Sequence, residues 1–222
     1  MCKYPLTMKN GHMFIELENG PWLMDTGAPT SFGSESSITI EKTDFEIQSD
    51  YMGMDINQIE DAVGVDMVGL LGTDVLDNFD ILLDVPSNTA TISNGEIKHS
   101  GTSLNLNEFM GIPIVTALIG ESEFQMFLDT GAEISYLQDE ILETFPKSGP
   151  VEDFYPGFGP FETETYSAKV NLDNEQFSLR TGTLPQLLGM TLMMGGTQGI
   201  LGNDIFRDRK VGYFPRRGLL VI

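Results

Sequence analysis

The sequence predicts an all-β protein built from two related halves, and three observations favour this fold class. Most of the chain consists of short segments rich in β-branched and aromatic residues and bounded by Gly, Pro, Asn or Asp. Helical periodicity is scarce. Two blocks of sequence occur twice, in the same order, along the 222 residues. That length suits one large β unit or two lobes of about 100 residues each.

The pattern of β-rich segments predicts strands over 13–17, 22–24, 79–84, 112–119, 124–128, 163–172, 176–180 and 211–214. Asn19-Gly20 and Asp173-Asn174 are typical of hairpin turns. The best short helix candidate is 139–145, and 75–78 is a second brief turn. The secondary structure therefore indicates closed or paired β lobes.

The internal repeat divides the chain. Residues 23–28 read Leu-Met-Asp-Thr-Gly-Ala and return at 127–132 as Phe-Leu-Asp-Thr-Gly-Ala. Gly-Leu-Leu-Gly at 69–72 returns as Gly-Ile-Leu-Gly at 199–202, and from there both copies run 24 residues without a gap. Two matched blocks in one order indicate duplication. We predict an N-terminal lobe at 1–96, a polar linker at 97–103 and a C-terminal lobe at 104–222.

Each Asp-Thr-Gly-Ala motif follows an apolar strand and opens a turn, where a glycine permits tight folding. A pseudo-twofold axis between duplicated lobes would bring Asp25 and Asp129 face to face, with one proton shared between them. One ionised aspartate would activate a water molecule while the other, protonated, polarises a peptide carbonyl. This chemistry needs no metal and no other cofactor. The residues predicted to support the two loops are Thr26, Gly27, Ala28, Thr130, Gly131 and Ala132, with each threonine hydroxyl bonding to the opposite loop.

The two motifs, each with its apolar-apolar-Gly partner block, resemble the pepsin and retroviral-protease (retropepsin) superfamily of aspartic peptidases. The resemblance implies two pseudo-twofold-related, β-barrel-like lobes with the active site in the cleft between them. It also implies an aspartic endopeptidase that favours apolar side chains beside the cleaved bond. The shared proton is the property for which aspartic proteases are known. Alanine at positions 28 and 132 resembles the retroviral branch, and the hydroxyl missing there predicts a less acidic pH optimum than in pepsin-like enzymes.

Members of this superfamily cover the cleft with a β-hairpin flap. From Asp129 to Gly199 the chain runs 70 residues, against 44 from Asp25 to Gly69. The longer interval holds an aromatic, glycine-rich stretch at 154–162, which we interpret as the flap, with Gly157, Phe158 and Gly159 at its substrate-binding tip. The alternative is an ordinary surface hairpin with Phe158 packed on its own lobe. In the first half, 50–54 is the only tip-like stretch.

Other polar residues have simpler interpretations. Asp74 and Asp204 stand at matched positions after the second glycine block and are predicted to cap the short turn that follows. His12 and His99 are isolated from any triad, so we expect satisfied or exposed side chains.

The net charge of the chain limits the kinds of partner that it can bind. With 33 acidic and 12 basic residues the net charge is −21, which repels nucleic acid and anionic membranes. No apolar run is long enough to span a bilayer. We expect a polypeptide substrate and, with both aspartates in one chain, a monomer.

One cysteine, Cys2, and no basic-then-apolar leader predict a cytoplasmic protein, or a secreted or periplasmic one if a signal peptide has been removed. Two other functions stay open. One is a catalytically inactive peptide-binding module that keeps the acid protease fold. The other is a glycosidase with paired carboxylates, although no motif in the sequence supports that function.

Overall fold

A computed structural model describes residues 1–155 and 158–222 of the chain. Strands account for 51% of the residues and helices for 15%, which confirms the predicted all-β class. The strands predicted from sequence are present, with ends that differ by a few residues. The Asn19-Gly20 turn is displaced by one residue, since Leu17 pairs with Gly20 and the loop is Glu18-Asn19.

Eleven strands precede residue 97. They are β1 (Cys2–Lys9), β2 (His12–Leu17), β3 (Gly20–Met24), β4 (Phe32–Gly33), β5 (Ser37–Ile40), β6 (Thr43–Glu46), β7 (Asp50–Tyr51), β8 (Met54–Asp55), β9 (Gly69–Leu71), β10 (Asp80–Asp84) and β11 (Thr89–Ser93). The later strands are β12 (Ser103–Asn105), β13 (Asn107–Phe109), β14 (Ile112–Ile119), β15 (Ser122–Leu128), β16 (Ser135–Leu137), β17 (Lys147–Tyr155), β18 (Gly159–Leu172), β19 (Glu175–Gly182), β20 (Gly199–Leu201), β21 (Lys210–Phe214) and β22 (Leu219–Val221).

The strands form two large sheets. A ten-stranded sheet has the order β12-β22-β21-β10-β11-β1-β2-β3-β9-β4, and an eight-stranded sheet has the order β13-β14-β15-β20-β16-β19-β18-β17. Two small hairpins, β5-β6 and β7-β8, complete the pairing in the described residues. The ten-stranded sheet joins strands from both sides of the predicted linker, because β10 pairs with β21. The lobe boundary at 97–103 stays a prediction.

The gap-free part of the repeat is also a structural repeat. After β9 come a helical turn and strands β10 and β11, and after β20 come a 3₁₀ turn (Asn203–Phe206) and strands β21 and β22. The strands of the repeated Gly-Leu-Leu-Gly and Gly-Ile-Leu-Gly blocks, β9 and β20, pair in the same way. Each is parallel to the strand that leads to the aspartate (β3 or β15) and antiparallel to the strand that follows it (β4 or β16). Matched sequence therefore produces matched topology.

Helices are α1 (Ile56–Val63), α2 (Thr73–Leu76) and α3 (Gln186–Met194), with further 3₁₀ turns at Glu140–Thr144 and Pro215–Arg217. Neither α1 nor α3 is among the predicted elements. For α1 the signal was present: Asp55 accepts from the Gln58 amide while the Gln58 side chain accepts from the Asp55 amide. Gly64, with φ of 69°, ends the helix in the left-handed region.

One apolar core runs through both halves. It contains Leu71 and Leu201 from the two repeated blocks, together with Trp22, Phe79 and Phe206, all 1% exposed or less. Three smaller clusters accompany it: one contains Phe32 and Leu70, the second Tyr136 and Ile200, and the third Phe214 and Val221. The central core includes the ends of both aspartate-bearing strands, and the first two smaller clusters face the cavity described next.

Candidate active site

Both aspartates stand at the end of a strand that is paired with a repeated block. The amide of Asp25 donates to the Leu71 carbonyl at 3.0 Å, and the amide of Asp129 donates to the Leu201 carbonyl at 2.9 Å. These bonds continue the parallel pairing of β3 with β9 and of β15 with β20. Each aspartate is thereby set at the point where its strand leaves the sheet.

The threonines join the two loops as the sequence predicts. Thr26 Oγ1 donates to Leu128 O at 2.6 Å, and Thr130 Oγ1 donates to Met24 O at 2.8 Å. Each hydroxyl also accepts from the opposite threonine amide at 3.0 Å. Both threonines are 2% exposed, so these four bonds form without competition from water. The loops are locked together.

The carboxyl groups of Asp25 and Asp129 lie next to each other across this junction. Each lies against the glycine of the opposite loop: a Cβ at Gly27 would overlap the Asp129 carboxylate, and a Cβ at Gly131 would overlap the Asp25 carboxylate. Glycine is needed at both positions because any side chain would push the carboxyl groups apart. The Gly27 amide donates to Asp25 Oδ1 at 2.9 Å, and the Gly131 amide does the same for Asp129.

The electrostatics favour a shared proton. Burial raises the pKa of Asp25 well above its ordinary value, and the charge of Asp129 and the hydrogen bond with it raise that pKa further. Burial also raises the pKa of Asp129, but the Gly131 amide, the hydrogen bond with Asp25, the Ala132 amide and the charge of His12 lower it. The Gly27 and Ala28 amides lower the pKa of Asp25, as the Gly131 and Ala132 amides lower that of Asp129, so at each carboxyl group burial favours the protonated form and the amides favour the charged form.

The dyad opens into a cavity of about 370 Å³. Ala28 and Ala132 lie in its wall, and their carbonyls accept from the Thr73 and Asn203 amides at 2.9 Å each. The rest of the wall is mostly apolar, and its polar members include Tyr136 and Asp153, which hydrogen-bond to each other. A cavity of this volume is in the range of small-molecule binding sites and is much larger than a single water molecule needs.

The β17–β18 hairpin covers the second-half side of this cavity. Its strand places Phe154 against the first-half cluster around Phe32, and the next residue, Tyr155, against the second-half cluster around Tyr136. Burial raises the pKa of Tyr155, and the nearby charges of Asp129 and Asp25 raise it further. The hairpin therefore reaches over the dyad.

The predicted tip residues are placed as follows. Gly157 lies outside the described residues. Phe158 is 42% exposed and packs edge-on against Phe161 of its own hairpin, with ring centroids 6.3 Å apart. Gly159 begins β18 with a φ of 95°, which favours glycine. In the described part of the chain, the hairpin contacts the cavity through Asp153, Phe154, Tyr155 and Phe161 rather than through Phe158 or Gly159.

The first half also contributes a hairpin. Strands β7 and β8 carry Tyr51, Met52 and Met54 to the cavity, and α1 adds Ile59 and Val63 beside them. From sequence, 50–54 is predicted only as a tip-like stretch, and the helix after it is not predicted. The capping pattern around Asp55 was the signal that would have located it.

His12 is a functional candidate that sequence reasoning missed. It lies in the cavity wall, half-buried, with Nδ1 2.9 Å from the Gly131 carbonyl oxygen. A contact between residues this far apart in sequence has no local signal. His99, by contrast, meets the Lys210 carbonyl away from this cavity.

The capping roles predicted for Asp74 and Asp204 are wrong. Asp74 Oδ1 accepts from the Ser31 amide at 2.9 Å and from the Ser31 hydroxyl at 2.6 Å, so it secures the loop after Asp25. Asp204 instead pairs with Arg207 at 2.9 Å. The short turns begin at glycines without a side-chain cap, because the tight bend after each block is already fixed by the serine hydroxyls of Ser31 and Ser135.

Comparisons with known proteins add no family. No protein-family model matches the chain, and no curated protein matches it. Across residues 1–155 and 158–222, three or more His, Cys, Asp or Glu side chains are nowhere grouped so as to hold a metal ion. No helix in the described residues is long and apolar enough to cross a membrane.

Proposed function

We propose that the chain is an aspartic endopeptidase of the pepsin and retropepsin superfamily, acting on extended polypeptide as a monomer. The observation that carries the proposal is that two carboxyl groups, Asp25 and Asp129, lie next to each other in the wall of one cavity. A structural ion pair would need a cation between them. Two like acids held in contact instead suit the sharing of one proton.

We further propose two pseudo-twofold-related, barrel-like lobes with the cavity between them. Support comes from the register between β10 and β21, where Leu82 pairs with Gly212, its own counterpart in the duplication. The duplication matches Ile81 with Val211 and Leu83 with Tyr213. The flanking pairs are Ile81↔Tyr213 and Leu83↔Val211, so the duplication converts each of these pairs into the other. The threonine bonds between the two loops are reciprocal in the same sense.

In this mechanism the ionised aspartate accepts a proton from water, and the water oxygen bonds to the peptide carbonyl carbon. The π electrons move to the carbonyl oxygen, which receives the proton of the other aspartate. The C–N bond then breaks as the nitrogen takes up the proton removed from water. A hydroxyl of the tetrahedral intermediate returns a proton to the second aspartate, so the dyad ends with the single proton it began with.

The raised pKa values of the dyad suit a less acidic pH optimum than in pepsin-like enzymes. A higher pKa for the second proton extends the singly protonated, active form toward neutral pH. Loss of a hydroxyl donor at Ala28 and Ala132 acts in the same direction.

The test is digestion of a denatured protein mixture between about pH 3 and pH 7, with and without a statine-type transition-state mimic. We expect cleavage that the mimic blocks and that Asp25→Asn and Asp129→Asn abolish. Asp173→Asn, the same change on an exposed hairpin turn, is the matched control and should cleave normally. Binding of the mimic without cleavage at any pH would instead identify an inactive peptide-binding module.

A further inference from the structure

The turn that carries His12 has a counterpart in the second half. Asn10 and Gly11, with φ of 46° and 78°, join β1 to β2, and Met110 and Gly111, with φ of 53° and 81°, join β13 to β14. The residue after each turn lines the cavity, and in the second copy it is Ile112. His12 therefore stands where the duplicated position has an aliphatic side chain.

Both turns rest on the loop region of the opposite half. The Asn203 side chain donates to the Gly11 carbonyl at 2.7 Å. At the matched place, a Cβ on Gly111 would lie 3.4 Å from Thr73 Oγ1. The two turns are thus structurally equivalent. The residue that follows them is His12 in the first half and Ile112 in the second, so only the first half places an ionisable side chain at this position.

His12 contacts the loop of Asp129 directly. Because the Gly131 carbonyl oxygen only accepts, Nδ1 must carry the hydrogen and donate across the 2.9 Å separation. The amide of the same glycine donates to Asp129 Oδ1 at 2.9 Å, and the next amide, of Ala132, donates at 3.2 Å. On the other side, the Gly27 amide donates to Asp25 Oδ1 at 2.9 Å in the same way, but the Gly27 carbonyl receives no side-chain hydrogen bond from the described residues.

We propose that His12 is a positioning residue that makes Asp129 the ionised base of the dyad and leaves the shared proton on Asp25. The inference rests on the proposed peptidase function. The hydrogen bond to Gly131 holds the loop whose amides point at Asp129, and a protonated imidazole adds positive charge on that side only. The lowering of the Asp129 pKa by the charge of His12 agrees with this arrangement.

Several other ionisable groups share the cavity with His12, and Glu133 lies against the neighbouring Gly11. The groups in the cavity wall are Asp25, Tyr51, Asp129, Glu133, Tyr136, Asp153 and Tyr155. All are acids, so His12 is the one basic side chain among the described residues of the cavity wall. Its removal should therefore change the ionisation of the dyad rather than be masked by a second cation.

The experiment compares His12→Asn, His12→Ala and the matched Ile112→Ala, using a quenched peptide that spans a bond cleaved in the digestion above. Asparagine places an amide donor near the position of Nδ1 but carries no charge. We expect kcat to fall about tenfold in His12→Ala and to recover to within about threefold of the parent in His12→Asn. The lower pH limit of kcat/KM should rise by about 0.5 unit in both, because charge is lost in both. Ile112→Ala should leave that limit unmoved.

Carboxyl ¹³C resonances of labelled aspartate supply a readout that needs no turnover. We expect Asp129 to ionise before Asp25 in the parent, and the difference to shrink in His12→Asn. Unmoved pH limits and an unchanged order of ionisation in His12→Asn would overturn the proposal. Failure of the peptidase function alone would abolish cleavage in the parent and leave the resonance titration intact.

Discussion

The Asp25 loop and the Asp129 loop make the same threonine and backbone hydrogen bonds, but different side chains surround them. Four residues after the aspartate stands Pro29 in one loop and Glu133 in the other. A hairpin of two residues per strand, β7–β8, covers the first side, whereas the second is covered by the nine-residue β17 and the fourteen-residue β18.

This comparison separates two demands on the chain. The carboxyl groups must meet, which requires the same amides, glycines and threonine hydroxyls on both sides. The walls of the cavity do not take part in that contact, and there duplication imposes no identity. The conserved geometry between the halves therefore serves the dyad, and the differences serve whatever lies in the cleft.

The largest effect on stability should come from breaking the threonine junction. Thr26→Val leaves the Leu128 carbonyl and the Thr130 amide without partners in a buried place, so the free energy of unfolding should fall by about 2–4 kcal/mol. Thr130→Val should cost a similar amount, because its bonds are reciprocal. Urea denaturation measures both losses.

Thr26→Ser keeps the hydroxyl and should lose less than about 1 kcal/mol. If Thr26→Val and Thr130→Val differed severalfold in cost, the two loops would not be equivalent supports.

The two hairpins should differ in their effect on substrate binding. Phe154 packs against the cluster around Phe32 on the far side of the cleft, so Phe154→Ala should raise KM about tenfold. Met52 is 86% exposed at the tip of the short hairpin, and Met52→Ala should change KM by less than about threefold. Steady-state kinetics with the quenched peptide distinguish them, and equal effects would contradict the assignment of the longer hairpin as the flap.

A smaller effect concerns a pair of matched positions away from the cleft, Asp77 and Arg207. Burial raises the pKa of Asp77 from its ordinary value of 3.8 to about 6, although the Tyr213 hydroxyl, which donates to it at 2.6 Å, acts in the opposite direction. A carboxyl group whose pKa is higher in the folded state stabilises the fold below about pH 4, and this stabilisation is lost as the pH rises through 6.

Between pH 4 and pH 7 the unfolding free energy should therefore decrease by about 1 kcal/mol less in Asp77→Asn than in the parent. This figure is smaller than the full pKa shift would give, because the carboxyl group is partly exposed to solvent. Denaturation at several pH values measures this slope. Arg207→Gln, at the matched position, removes a charge that lowers the pKa of Asp204 and should therefore steepen the fall instead. An equal slope in the parent and in Asp77→Asn would show that Asp77 is not its source.

Much of the site followed from the repeat alone. Two copies of Asp-Thr-Gly-Ala, each with a second block in register, are enough to predict that Asp25 and Asp129 meet and that Thr26 and Thr130 bond across. The reason is that duplication imposes the same local backbone twice, so each loop presents the same hydrogen-bonding atoms to the other. The β class followed from strand periodicity in the same local way.

Only the tertiary structure decided what surrounds the dyad. The contact of His12 with Gly131 and the bond from Ser31 to Asp74 join residues that are 119 and 43 positions apart. Strand periodicity states which residues alternate between two faces of a sheet, but not which distant segment packs against either face. Those contacts depend on how the sheets close on one another, and that closure is set by the packing of the whole core.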